Sequence, residues 1–455
     1  MKRYQRIGLI VAVLLVLLGG IAVPYIKEFA MVGIAYKAKI LCSSVFLSGR
    51  NAETVENIDL AADDLSVLQY VDADVDYSAK TVTTTLFNLL SQTAVFRPGL
   101  GCTLVFPEYP AHVVSVSESD HVERIAHKRD VLPLQQTSNP DLEAVLDWAF
   151  EETDVARLKR TRAVVVVANG RIAAERYAEG FDANTPLIAW SVAKSVMNAL
   201  VGVLVQQEKL ALDDVIRLPG REHEDERITI NHLLQMTSGV GFNEDYKDPF
   251  EDVIFMLLRT ADMAAYAAAK KIPVSPGAQW SYSSGTSNIL SYVLRQRLGD
   301  EAYVDFPRAA FFSRIDMNDS FIELDASGTF VGSSYLYASA RDLAKFGQLY
   351  LQDGVWRGER ILPEGWVAYS TQIVPQSPAK DFGAHFWLAL PDSYSAGGYA
   401  DRLPEDAFHA IGHEGQFVTI IPSRDVVIVR MGLTRIPAVW QQDALIFKVL
   451  AALKD

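Results

Sequence analysis

Cysteine is nearly missing from this chain, and so is any surplus of positive charge. Two cysteines in 455 residues rule out a disulfide-stapled scaffold and a cysteine-rich metal site. Lys and Arg number 42 against 56 Asp and Glu, a net charge of −14 that repels phosphate backbones and sets aside a nucleic-acid partner. Also absent are a phosphate-cradling P-loop, a G-x-S-x-G nucleophile elbow and a His-Glu-x-x-His metalloprotease helix. His409 and His413 are four apart with Glu414 beside them, but they sit at the entry to a strand rather than on one face of a helix. No metal or cofactor is expected. What is present is 49% hydrophobic sequence, ample for a packed core and too apolar for wholesale disorder. One large α/β domain with an appendage fits the length.

One local departure breaks the average. Lys2, Arg3 and Arg6 precede 20 consecutive uncharged residues, 7–26, which Lys27 closes. A helix of that length spans about 30 Å, the thickness of a bilayer core. The basic flank stays cytoplasmic, so residues 1–26 are expected to anchor the chain in a bacterial inner membrane with everything after them periplasmic. A cleaved signal peptide is the rival reading, although no clear small-x-small site follows the run. In an oxidising compartment Cys42 and Cys102 tend to pair. The alternative is two separate buried thiols.

Residues 27–140 read as a mixed exported segment, β-prone from Thr81 to Thr85 and turning at Arg97-Pro98-Gly99. A polar stretch ending in Asn139-Pro140 marks a boundary. From Asp141 the spacing of Leu142, Val145, Leu146 and Ala149 predicts a helix. Within residues 141–455, Ala163 to Ala168 and Arg171 to Tyr177 flank Asn169-Gly170, a strong hairpin signal. Phe417 to Ile421 and Val426 to Met431 form a second pair, and a helix from about Ala438 to Leu453 closes the chain. Strands at both ends with helices between them predict an α/β fold of the α+β kind. Its antiparallel sheet, assembled from both ends, is flanked by helices, and an inserted mainly helical region includes residues 261–271.

Chemistry concentrates in three places. Ser191-Val-Ala-Lys194 opens a run with Ala193, Val196, Leu200 and Val203 at helical spacing. Positions i and i+3 share a helix face, so the Lys194 amine can lean towards the Ser191 hydroxyl at a helix N-terminus. A serine needs such help, because at neutral pH almost none of it is alkoxide. A second Ser-x-x-Lys, Ser377 to Lys380, lies among prolines with no helical periodicity. Tyr282 sits amid small hydroxylated residues, Ser283 and Ser284 among them, and a phenol near a lysine is expected to have its pKa lowered for work as a base. Gly412-His413-Glu414-Gly415-Gln416 leads into the Phe417 strand, where glycines admit substrate and the Gln416 N–H can serve an oxyanion.

Ser191-x-x-Lys194, Tyr282-x-Ser284 and His413-x-Gly415 resemble, in order and spacing, the motifs of the serine β-lactamase-related hydrolases. The superfamily contains class C β-lactamases, penicillin-binding D-Ala-D-Ala peptidases, esterases and 6-aminohexanoate-dimer hydrolases. Residues 228–239, 337–347 and 356–366 are similar to the same group, so the resemblance covers about 140–455. It implies a β-lactamase/transpeptidase-like fold with Ser191 as nucleophile. Lys194 and Tyr282 would share the proton traffic, and the Ser191 and Gln416 N–H groups would form the oxyanion hole. Ser284, His413 and Gly415 would line the substrate site. Which of Lys194 and Tyr282 is the base stays open, since coupled groups titrate as a pair.

Two departures separate the chain from the class C β-lactamases. The second motif ends in Ser284 rather than Asn, and the third reads His413-Glu414-Gly415 where a Lys-Thr-Gly would bind a carboxylate. Losing a permanent cation and adding an acid weakens the grip on anionic substrates. The expectation is therefore a hydrolase of a small-molecule amide or ester, closest to the 6-aminohexanoate-dimer hydrolase and esterase branch. A β-lactamase or D-Ala-D-Ala carboxypeptidase is the same-class alternative. A non-hydrolytic penicillin-binding sensor is the different-class one.

Overall fold

A computed structural model of the chain describes residues 23–109, 132–135, 139–221 and 227–454. Most of the expected anchor run and the acidic residues 222–226 lie outside them.

The first described element is a helix, α1 (Val23–Leu47), long and apolar enough to cross a membrane, a test that a signal sequence also passes. Two thirds of its most apolar window is nevertheless buried inside the fold. From Met31 onward its Ile34, Ala35, Ala38 and Leu41 join the main hydrophobic core. An antiparallel meander follows, in the order β1 (Asp72–Asp76), β2 (Thr81–Leu86), β3 (Leu90–Arg97) and β4 (Gly101–Leu104). Cys42 in α1 and Cys102 in β4 are joined as a disulfide. Residues 31–104 thus share one core with the rest of the chain.

That core is built on a five-stranded antiparallel sheet. Its strands are β5 (Thr161–Ala168), β6 (Arg171–Tyr177), β7 (Phe408–Gly412), β8 (Gln416–Ile421) and β9 (Val426–Gly432), ordered β7-β8-β9-β5-β6. Both ends of the chain contribute, joined where β9 pairs with β5. Asn169 and Gly170 take φ of +51° and +69°, the two left-handed residues that a tight hairpin turn between β5 and β6 requires. Strand β5 is apolar without alternation because both of its faces are covered. Val164 and Val166 pack with Leu142 and Leu146 of α2 (Pro140–Phe150), whereas Val165 and Val167 face the main core.

On that main-core side lies α3 (Val192–Gln206), buried from Val192 to Leu204 on every side. The Asn198 side chain at its centre accepts from Tyr350, Trp366 and Ser370 and donates to the Ala384 carbonyl, which fixes the helix along its axis. Beside it run α4 (Ser284–Leu298) and α5 (Ala340–Leu351), and α6 (Gln442–Leu453) covers the other face of the sheet with α2. The closing helix begins four residues later than its apolar pattern predicts, because Pro437 starts a separate 3₁₀ turn ahead of it. The alanine-rich stretch is helical only over Met263–Ala268.

Candidate active site

The nucleophile candidate sits on a constrained turn. Ala189 donates to the Leu336 carbonyl at 2.7 Å, tying the chain to a small three-stranded sheet just before α3 begins. Trp190 then adopts φ +48°, a conformation a bulky side chain avoids, and Ser191 caps the helix. The strain is held by the Trp190 side chain, whose indole Nε1 donates to Glu414 at 2.9 Å. Arg435 pairs with the same carboxylate at 2.6 Å and reaches on to Asp64 at 2.7 Å. Among the described residues no backbone carbonyl outside the regular elements accepts the Ser191 N–H.

One turn along α3, Lys194 is almost wholly buried. Its Nζ lies 3.0 Å from Ser191 Oγ, 3.0 Å from Ser284 Oγ and 2.9 Å from the Ser333 carbonyl. Burial with no carboxylate in contact lowers its pKa to about 8, although the charge of Glu244 nearby acts in the other direction. When the amine is neutral, its two N–H bonds can serve Ser284 and Ser333. The lone pair is then free for the Ser191 hydroxyl.

The Tyr282 ring centroid lies 4.8 Å from the Lys194 Nζ. Trp387 and Phe382 pack on the ring, at 5.6 Å and 6.0 Å. Its pKa is not lowered as the neighbouring lysine suggested. Burial and then Glu244 push it well above the ordinary phenol value, and only Ser191 acts in the other direction. The phenol therefore stays protonated at neutral pH.

Glu244 is the residue that sequence reasoning missed. Its carboxylate accepts from the Ser284 N–H at 2.8 Å, from the Ser284 hydroxyl, and from the Tyr246 hydroxyl at 2.5 Å. Ser238, at the start of its loop, is bound to Thr286 of α4 at 3.1 Å, which lays the loop across the N-terminus of that helix. Ser191, Lys194, Ser284 and Glu244 thus form one continuous chain of hydrogen bonds. Ser284 is fully buried within it rather than open to a ligand.

The third motif closes the site from the sheet side. A Cβ on Gly412 would lie 2.2 Å from the Ala189 carbonyl, so only glycine lets the end of β7 approach the turn before Ser191. Gly415 takes φ +81° against the Arg430 guanidinium, which donates to its carbonyl at 2.7 Å. The Gln416 side chain is folded back on Gly432 and His413, leaving its N–H as the group it could offer a substrate. The His413 ring lies between Trp190 (5.7 Å, edge-on) and Tyr246 (5.6 Å, stacked), and burial lowers its pKa. The neighbouring acid does not act as expected. Glu414 is buried and turned from the site onto Trp190 and Arg435, so its charge is balanced rather than presented to a ligand.

The other candidates have simpler roles. Ser377 is buried and donates to Asp381 at 2.8 Å, whereas Lys380 is exposed and bonds the Pro375 carbonyl, so the two side chains of the second Ser-x-x-Lys do not meet. His409 is held by Thr419 at 3.0 Å, its pKa lowered to about 3 by burial. Among the described residues no group of His, Cys, Asp and Glu is arranged to hold a metal.

A sequence signature of the Beta-lactamase family matches residues 150–438. The chain belongs to the Beta-lactamase family. The 6-aminohexanoate-dimer hydrolase of Paenarthrobacter ureafaciens is 26% identical over 311 residues, covering 65% of this chain and 76% of that protein. Two solved structures share the fold. EstCE1, described as a hydrolase with promiscuous acyltransferase activity, has a TM-score of 0.52 at 16% identity over 69% of this chain and 97% of its own. A penicillin-binding protein homologue from Caulobacter crescentus has a TM-score of 0.52 at 16% identity, over 71% and 100%. The Beta-lactamase match begins at residue 150, so α1 and the β1–β4 meander lie outside it.

Proposed function

We propose that this Beta-lactamase-family chain is a serine hydrolase that cleaves an amide or ester bond through an acyl-enzyme on Ser191. The observation that carries this reading is Lys194, buried, 3.0 Å from Ser191 Oγ, with its pKa brought down to about 8. Neutral Lys194 takes the Ser191 proton as Oγ adds to the substrate carbonyl. The Ser191 and Gln416 N–H groups receive the developing oxyanion. Tyr282, protonated at rest, passes its proton to the departing amine or alcohol and is reprotonated from the Lys194 ammonium. Water reverses these roles in deacylation, releasing the acid and free Ser191.

Neutral His413 stands where a permanent cation would hold a carboxylate. The substrate preference is therefore for esters and amides over β-lactams, in line with the 6-aminohexanoate-dimer hydrolase among its relatives. Residues 1–26 anchor the protein, with residues 141–455 as the catalytic unit on the exported side. A panel of short acyl esters, oligoamides and a chromogenic cephalosporin, followed by stopped flow, tests the reading. Esters or oligoamides should turn over with a burst of acylation. A cephalosporin hydrolysed faster than all of them would overturn the preference.

A further inference from the structure

We propose that the face around the outer end of α1 seats on the lipid bilayer and holds the active-site loop at the membrane surface. This rests on the anchor reading above but uses observations it does not.

The first two turns of α1 display apolar side chains to solvent on either side of the charged pair Lys27 and Glu28. Val23, Tyr25, Ile26 and Phe29 are 64, 58, 62 and 51% exposed, whereas Met31 onward enters the core. Val23, Tyr25 and Ile26 end the run of 20 uncharged residues and Phe29 follows just past Lys27 and Glu28, an apolar-to-charged boundary that fits the edge of a bilayer. Lys27 among them can bury its stem and keep its ammonium in the headgroups.

A hairpin tip lies at the same level. Strand β3 runs in the same direction as α1: Phe96 packs on Phe46 at 5.8 Å, while Ser91 and Met31 line one groove. The β2–β3 turn must therefore lie beside the outermost turns of the helix. It carries Phe87 and Leu89, 74 and 83% exposed. Phe87 and Asn88 take φ of +52° and +55°, the pair of left-handed residues that the tight β2–β3 turn requires, and that turn displays the Phe87 ring to solvent. Tyr and Trp gather at the headgroup level of membrane proteins for their amphipathic rings, and Tyr25 here matches that position.

The same helix end touches the active-site loop. The Tyr25 ring stacks on Phe250 at 4.0 Å and Glu28 pairs with Arg259 at 3.1 Å. Phe250 lies six residues from Glu244, at most about 20 Å of chain. The site would then take acyl groups presented at the headgroup level, such as amphiphilic esters and amides.

Both native cysteines are in the disulfide, so one introduced cysteine can be labelled uniquely. The full-length protein is reconstituted in phosphatidylcholine–phosphatidylglycerol vesicles with a fluorophore on Leu89→Cys. Val155→Cys, at a position 91% exposed on another part of the surface, serves as the reference. The Leu89→Cys label should be several-fold less accessible to aqueous iodide than the reference and be quenched by brominated acyl chains. Equal iodide accessibility, failure of the chain to bind the vesicles, or protection without quenching by brominated lipid (a second copy covering the face) would each overturn the proposal. Turnover of a water-soluble ester, measured on the same samples, is independent of seating, so its loss would count against the hydrolase reading alone.

Discussion

Two lysines are buried in this molecule to almost the same degree, and their surroundings give them opposite uses. Lys39, in α1, pairs with the Glu323 carboxylate and the Ser43 hydroxyl, with the Tyr335 ring 4.1 Å away. The carboxylate also accepts from the Cys102 N–H, so the pair ties α1, β4 and the catalytic fold together. Lys194 touches only two hydroxyls and a carbonyl. At Lys39 burial also lowers the pKa, but the Glu323 carboxylate in contact opposes it, and the lysine serves as a structural tie. A lysine that meets only neutral dipoles can give up its proton near neutral pH, which makes it a base. The decisive difference is a carboxylate at contact distance rather than the depth of burial.

The largest expected effect is at the reactive lysine. Lys194→Met should lower kcat/KM by about 10²–10⁴-fold, the usual worth of a general base, while thermal melting stays close to that of the parent. Lys39→Met should do the reverse. Leaving Glu323 buried without its partner costs roughly 3–5 kcal/mol of stability, read by denaturant titration, while the folded fraction keeps its kcat. If both variants lost activity alike without loss of stability, the contrast would be broken.

A pH profile sharpens it. Only the neutral amine can accept the Ser191 proton, so kcat/KM should rise with pH through an inflection at about 8. Glu244 favours the charged form of Lys194, so Glu244→Gln should move that inflection to lower pH. An upward move would contradict the sign. Glu414→Gln keeps a hydrogen-bond acceptor for Trp190 but loses the ion pair with Arg435, and kcat/KM should fall about 10-fold, equivalent to about 1.4 kcal/mol. The smallest effect belongs to Ser377→Ala, whose hydroxyl only closes a turn, and kcat/KM should not change.

What could be read in the sequence was local. The Asn169-Gly170 hairpin, the apolar helix after Ser191 and the three motifs depend on residues a few positions apart. Glu244 was not legible because its partners, Ser284 and Lys194, are 40 and 50 positions away and no motif marks a lone acid in a loop. The direction for Tyr282 was reversed chiefly by burial of its ring, and then by this unseen carboxylate. Lys37 and Lys39 break the hydropathy of α1, and their carboxylate partners, Glu56 and Glu323, become visible only in the fold. The link from Asp64 through Arg435 and Glu414 to Trp190 likewise joins segments that nothing in the sequence connects.

The central claim is that Ser191 carries the acyl group. A fluorophosphonate probe followed by peptide mass mapping tests it without knowledge of the substrate. The adduct should sit on the peptide containing Ser191 and vanish in Ser191→Ala. An adduct that survives that substitution, or that maps to Ser377, would contradict the account.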